Sequence, residues 1–209
     1  MTARPVASFT FTGVFAESSA SAHASGRLVH GGEGSSRTGY DMRLRGGGMS
    51  AEERVVVLGT TGYALDHGRK KFDLYPSPGD KERPPYADAA SMVVATGSVL
   101  TVLELIASSR GVRRSGRTYS ASIAMSSAGG DLHQLFTSWL EAVDKTYLSY
   151  TVTIDESDLP SMFRLTWKVP VAGTGFYEST FTTTYARWHQ GGPIPDPGRP
   201  AQGARIVRG

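Results

Sequence analysis

The sequence predicts an α+β fold: a strongly curved antiparallel β-sheet, a half-barrel, with two or more helices packed on its concave face. Three observations carry this. Short runs of alternating apolar and polar residues recur along most of the chain, separated by Gly- and Ser-rich turns. Two helical patterns, near residues 98–111 and 131–143, fall late and close together. A sheet of about 10–11 strands curls rather than staying flat, and helices inserted at one place in the order cover only one of its faces.

In order, Val6–Phe15 is the first strand, with Phe9, Phe11 and Phe15 on one face and Ser8, Thr10 and Thr12 opposite. Ser18–Ser25 reads as a turn or loop, and Gly26–His30 as a short second strand. Thr38–Arg45 alternates Tyr40, Met42 and Leu44 against Asp41, Arg43 and Arg45, and Gly46–Gly47–Gly48 closes it. Arg54–Leu58 follows, and Thr61–Leu65 hairpins into Lys70–Tyr75. Pro76–Pro85 reads as a loop, because adjacent prolines at 84 and 85 forbid regular pairing.

Ser98 is placed to cap a helix carrying Val99, Val102, Leu103 and Ile106, and the apolar Met92–Val94 before it leaves a longer or broken helix open. Val112–Gly116 and Thr118–Met125 return to strand. Asp131 opens the second helix, with Leu132, Leu135, Phe136, Trp139, Leu140 and Val143 as its stripe. The last three strands are Tyr147–Ile154, Met162–Val169 and Phe176–Trp188, dense in β-branched and aromatic residues that suit a pleated sheet. The expected organisation is one domain over residues 1–190 with a Pro/Gly-rich tail over 191–209.

Composition bounds function. The chain has 209 residues, a formal net charge of +3 and no cysteine, which excludes disulfides, thiolate metal sites and cysteine nucleophiles within it. Lys and Arg are scattered apart from Arg69–Lys70–Lys71 and Arg110, Arg113 and Arg114, so no nucleic-acid surface is expected. Those two clusters suit either ordinary solvated surface, the favoured reading, or contact with a membrane surface of anionic headgroups. No run of 18 or more apolar residues is present. If Met1 is the true start the expected location is cytoplasmic; if an upstream leader was lost, it is the cell envelope.

No catalytic constellation is readable, so the chain is read as a non-enzyme without cofactor or metal. The five histidines have no ligand spacing. Asp155, Glu156 and Asp158 lack the alternation and glycine of a calcium loop and read as an exposed turn. Gly46–Gly48 has no accompanying lysine-serine pair, and Ser126–Ser127 has no nucleophile-elbow context.

The order and spacing of several strand motifs resemble the LolA-like superfamily, specifically actinobacterial lipoproteins of the LppX/LprG type. They are Ser8–Phe9–Thr10–Phe11–Thr12–Gly13, Gly62–Tyr63–Ala64–Leu65, and Val99–Ala107 with Gly116–Arg117–Thr118–Tyr119. Thr151–Val152–Thr153–Ile154–Asp155–Glu156 with Leu159–Pro160–Ser161–Met162–Phe163–Arg164–Leu165, and Thr184–Tyr185–Ala186–Arg187–Trp188 with Pro193 and Pro195, complete the set. The family's N-terminal helix, signal peptide and lipobox cysteine have no counterpart. Ser157–Asp158 stands where its turn carries glycine, and the helix from Asp131 is longer.

The resemblance implies an eleven-stranded half-barrel whose concave face holds lipid chains, in cell-envelope lipid carriage; a monomer is expected. The expected ligand-binding residues are Phe9, Phe11, Tyr40, Met42, Leu44, Val55, Val57, Leu165 and Trp167 on the sheet, with Val102, Leu103, Ile106, Phe136 and Trp139 as a lid. The partner is then a lipid or other hydrophobic small molecule. The alternative is a structural or protein-interaction domain of the same fold, with the same side chains interdigitated into a dry core. Patterning does not separate the two, since both need one apolar face per strand; alone it favours the dry core.

Overall fold

A computed structural model of the protein describes residues 4–15, 20–31, 38–66, 68, 71–74, 84–129, 132–133, 146–171 and 175–198. Its strands are β1 (Arg4–Phe15), β2 (Ala20–Val29), β3 (Gly39–Gly46), β4 (Glu53–Leu58), β5 (Thr61–Asp66) and β6 (Lys71–Leu74). Two helices follow, α1 (Pro85–Gly97) and α2 (Val99–Ser108). Then come β7 (Arg113–Ser115), β8 (Thr118–Ala124), β9 (Tyr147–Ile154), β10 (Pro160–Val171) and β11 (Gly175–Gly191).

All eleven strands form one sheet in the order β6-β5-β4-β3-β2-β1-β11-β10-β9-β8-β7, with every pairing antiparallel. The chain steps outward from β1 to one edge at β6, crosses to the opposite edge at β7, and returns to close β11 against β1. The helices make that crossing. Eleven strands laid flat would span roughly 50 Å, whereas α1 and α2, with 13 and 10 residues, reach about 35 Å end to end. A curled sheet shortens the chord. α1 accordingly packs on β3 and β4 at one side and on β11 at the other, so the sheet wraps around it.

The expected curved antiparallel sheet with helices on its concave face is present, and most boundaries agree within a few residues. β2 is the first correction: it begins at Ala20, not Gly26. Its inward positions include the small residues Ala22 and Ala24, so the alternation carries little hydrophobic contrast, yet both are buried against the core. The Gly46–Gly48 turn is real. All three glycines have positive φ (81°, 60° and 86°), a region that side-chain-bearing residues rarely adopt.

The helical segment is the second correction. Helix begins at Pro85, with Pro84 as N-cap residue, so the prolines that end the loop also start α1. The pair is broken at Ser98 and bent by 49°. Ser98 caps α2 as expected, its Oγ accepting from the Leu100 N–H at 3.2 Å. Leu103, expected on the inward stripe, is 53% exposed, while Leu105 is buried. The inward face of α2 runs through Thr101, Val102 and Leu105. The helix expected over Asp131–Val143, with Phe136 and Trp139, lies outside the described residues except for Leu132, which is buried, and the half-buried His133.

A second, smaller cluster lies on the convex face. Val6, Val29 and Val56 point away from the helices and are covered by Ile194, with Leu58, Tyr63 and Phe72 packed around them. Residues 192–198 therefore lie against the sheet rather than trailing from it. Arg27 donates to the Gly192 carbonyl at 2.6 Å and holds the start of this strap. Beside it, Arg54 grips Asp41 with two hydrogen bonds of 3.1 and 2.9 Å and lies over the Phe72 ring.

Candidate functional site

The concave face is the one large apolar surface that the sequence singled out, and the structure brings most of its named residues together. Phe9 and Phe11 of β1, Tyr40, Met42 and Leu44 of β3, Val55 and Val57 of β4, and Leu165 and Trp167 of β10 all join one buried cluster. Val102 of α2 belongs to it, and Ile106 packs against it half-buried. Leu103 does not; it faces outward.

Register explains why these side chains meet. Phe9 pairs with Tyr185 and Phe11 with Thr183 across β1 and β11, while Phe163 pairs with Thr183 and Leu165 with Phe181 across β10 and β11. Rows of inward side chains therefore run continuously through the middle of the sheet. Rings fill them: Trp167 stacks on Phe181 at 4.4 Å, and Phe9 meets Tyr40 edge-on at 5.5 Å. Phe181 itself lies over Gly13, where an added Cβ would come within 2.8 Å of the ring.

Above this floor, α1 buries a broad arc of small and medium residues, Ala87, Ala89, Ala90, Met92, Val93 and Ala95. A helix apolar on so wide an arc is an enclosed helix rather than a surface one. Small side chains let it approach closely. Gly97 comes so near β11 that a Cβ there would sit 2.8 Å from Thr183 Oγ1.

The polar groups of this interior are hydroxyls. Among the described residues, the buried polar side chains are Thr38, Thr96, Ser98, Thr101, Thr146, Ser179 and Thr183, together with the phenols of Tyr40, Tyr150 and Tyr185. Five of the ten, Thr96, Ser98, Thr101, Tyr150 and Tyr185, serve the broken helix. Thr96 donates to the Met92 carbonyl and Thr101 to the Ala95 carbonyl, each at 2.7 Å. The Tyr185 hydroxyl donates to the Gly97 carbonyl at 2.7 Å, taking up an acceptor that the end of α1 would otherwise leave open. At the far end of α2, Tyr150 donates to Ser109 Oγ at 2.9 Å. Two tyrosines of the floor thus hold the helical crossing, Tyr185 at its break and Tyr150 at its far end, and burial raises the Tyr185 pKa well above that of an ordinary phenol.

The sequence reading missed these hydroxyl contacts. Tyr150 and Tyr185 were visible as strand residues, but which carbonyls they would meet depends on where the helix breaks. The remaining titratable candidates are spread apart. His23 and His30 are half-buried on β2 and just beyond it, His189 is exposed on β11, and His67 lies outside the described residues. No cluster of three or more His, Asp or Glu able to hold a metal occurs among the described residues. The Asp155 carboxylate accepts from the N–H groups of Ser157 and Leu159 at 2.8 and 3.0 Å, and Asp158 takes φ 59°. Those acids build a tight turn between β9 and β10.

No family model matches the chain, and no curated protein matches it. Among solved structures it is similar to LprF from Mycobacterium bovis, at 13% identity and a TM-score of 0.44, over 93% of this chain and 90% of that one. It is also similar to a domain assigned to an outer membrane lipoprotein-sorting protein of Vibrio parahaemolyticus, at 8% identity and a TM-score of 0.30, over 92% and 87% of the two chains. At such identities and scores these are likenesses of overall layout, and no residue role is carried from them.

Proposed function

We propose that the protein binds and carries a lipid or other hydrophobic ligand between the concave sheet and the helices, by binding rather than catalysis. The observation that carries this reading is the chemistry of the interior. Its described side chains are apolar or hydroxylic, and it is closed by a broken helical segment rather than by a second sheet. Such a lining suits alkyl chains, whose burial contributes about 0.8 kcal/mol per CH₂, and offers hydrogen bonds to an ester, hydroxyl or carbonyl group. Among the described residues no buried side chain is an Asp, Glu, Lys or Arg that could pair with a buried charge. The ligand-contacting set is Phe9, Phe11, Tyr40, Met42, Leu44, Val55, Val57, Val102, Ile106, Leu165 and Trp167. The resemblance to LolA-like lipoproteins adds the cell envelope as the setting; the acting unit is a single domain that takes in the strap at Ile194 as well as residues 1–190, working as a monomer.

A second reading has its own observation. The 4.4 Å stack of Trp167 on Phe181 and the edge-on Phe9–Tyr40 pair are the packing of a filled core, as in an interaction domain that holds no ligand. Native mass spectrometry of protein purified without detergent separates the two. A copurified lipid mass supports the carrier; a clean apo mass together with no binding of a fluorescent fatty-acid probe overturns it.

A further inference from the structure

The sheet ends at β7, and exposed arginines gather at this edge. Arg113, Arg114 and Ser115 are all exposed, and so is Arg110 in the link from α2. Arg113 pairs with Ser120 and Arg114 with Tyr119, so the two guanidinium groups lie on opposite faces of the last strand. Arg114 is steadied there, its guanidinium 5.4 Å from the Tyr119 ring centre and its Nε donating to the Gly116 carbonyl at 2.9 Å. Between Val99 and Arg117 the sequence has four arginines and one acid, Glu104. Arg117 stands apart from the other three: it lies beside the acidic β9–β10 turn, 3.9 Å from Glu156.

The adjoining helix carries the second feature. Leu103, 53% exposed, and Ala107 one turn later share the outer side of α2. An exposed apolar stripe that leads within two turns into exposed arginines is the pattern of a segment lying at a lipid interface. A polynucleotide would call for a longer basic track and would have no use for Leu103.

We propose that the α2–β7 edge docks on an anionic bilayer surface, with Arg110, Arg113 and Arg114 on lipid phosphates and Leu103 with Ala107 at the headgroup–acyl boundary. The placement ties docking to the interior. Ser109, one residue before Arg110, is the group that Tyr150 of the concave floor holds at 2.9 Å. The edge that meets the membrane is thus adjacent to one anchored end of the helical cover. This deepens the carrier reading by naming the surface with which it exchanges, but docking is measured separately.

The test is co-sedimentation of the full chain with phosphatidylcholine vesicles, with and without about 30 mol% phosphatidylserine. Wild type is expected to bind the anionic vesicles and to be released by raised salt. The triple variant Arg110→Ser, Arg113→Ser, Arg114→Ser should bind about a hundredfold more weakly, since each arginine near such a surface is worth about a fivefold change. Leu103→Ser, which removes the apolar side chain without adding charge, should weaken binding without changing the salt dependence. These residues are exposed, so an unchanged thermal midpoint will show that the variants are folded. Equal binding to pure phosphatidylcholine, full binding by the triple variant, or capture by an oligonucleotide without vesicle binding overturns the proposal. Native mass spectrometry of the same preparations keeps the two readings apart. A lipid-loaded wild type that ignores anionic vesicles sinks docking alone, whereas a vesicle-binding wild type with no ligand and no probe binding leaves docking standing and sinks the carrier.

Discussion

The Tyr185 hydroxyl donates at 2.7 Å to the Gly97 carbonyl, and this bond joins the floor of the sheet to the break between α1 and α2. Tyr185 is 3% exposed, so water cannot take over if the phenol is lost. Tyr185→Phe removes one oxygen while keeping the ring that stacks on Trp188 at 5.9 Å. The variant should lose about 1–3 kcal/mol, the cost of leaving a buried carbonyl unmet. Urea unfolding measures it, and an unchanged midpoint would show that the bond does not hold the helices. If the interior carries a ligand, the same variant should also release it faster.

The same tyrosine sets an alkaline limit. Burial raises its pKa well above the ordinary phenol value of 10.0. Above pH 10 the unfolded chain gives up this proton while the folded chain keeps it, so the unfolded state binds fewer protons and stability falls as pH rises. The contribution is complete below pH 10 and is lost between there and the folded pKa. Wild type should therefore destabilise more steeply than Tyr185→Phe in thermal melts taken across that alkaline range. Parallel curves would mean that the phenol already ionises freely in the folded protein.

Gly97 offers a test of how closely α1 lies on the sheet. On helix propensity alone, Gly97→Ala would be stabilising by about 1 kcal/mol. The added Cβ would stand 2.8 Å from Thr183 Oγ1, however, in a buried layer with little room to shift. Net destabilisation of about 1–3 kcal/mol is expected from overpacking. Thr183→Ala should relieve much of it, so the double variant should be markedly less damaged than the sum of the two single ones. Additive costs would place the clash elsewhere.

Ile194 tests the strap on the opposite face. Its side chain is 6% exposed and covers Val6, Val29 and Val56. Ile194→Ala should cost about 2 kcal/mol or more and leave the concave interior as it is. A chemical-denaturation midpoint reads the loss, and a neutral effect would mean that residues 192–198 contribute little to the fold.

Where sequence and structure agree, the signal was contrast between neighbouring side chains. Phe9 against Thr10, Met42 against Arg43 and Leu165 against Thr166 each place one apolar and one polar residue on opposite faces, so the strands and the floor were legible. Where contrast is weak, the reading failed. In β2 the inward Ala22 and Ala24 alternate with Ser21, His23 and Ser25, which looks like a small polar loop. In α1, Ala87, Ala89 and Ala90 are core only because the sheet closes around them. Pro84–Pro85 could have marked the start of that helix, since proline suits a first helical turn. Leu103 was misplaced for another reason. The stripe on a ten-residue helix depends on its entry angle, and the break at Ser98 turns that angle.

Trp167 decides between the two readings of the interior. It is 4% exposed and stacked at 4.4 Å on Phe181, in the row that also carries Leu148 of β9. In a filled core, Trp167→Ala opens a cavity beneath the helices and should cost about 3–5 kcal/mol. In a carrier, part of the indole surface already faces ligand, so the stability loss should be smaller and the main change should be in what is retained. Leu165→Asp would not discriminate, because a carboxylate on that floor is costly in either case. The informative experiment pairs urea unfolding of Trp167→Ala with native mass spectrometry of the same preparation. A loss near the full cavity value, with no bound mass in either protein, favours the interaction domain. A modest loss with a changed lipid complement identifies Trp167 as part of the wall of a ligand site.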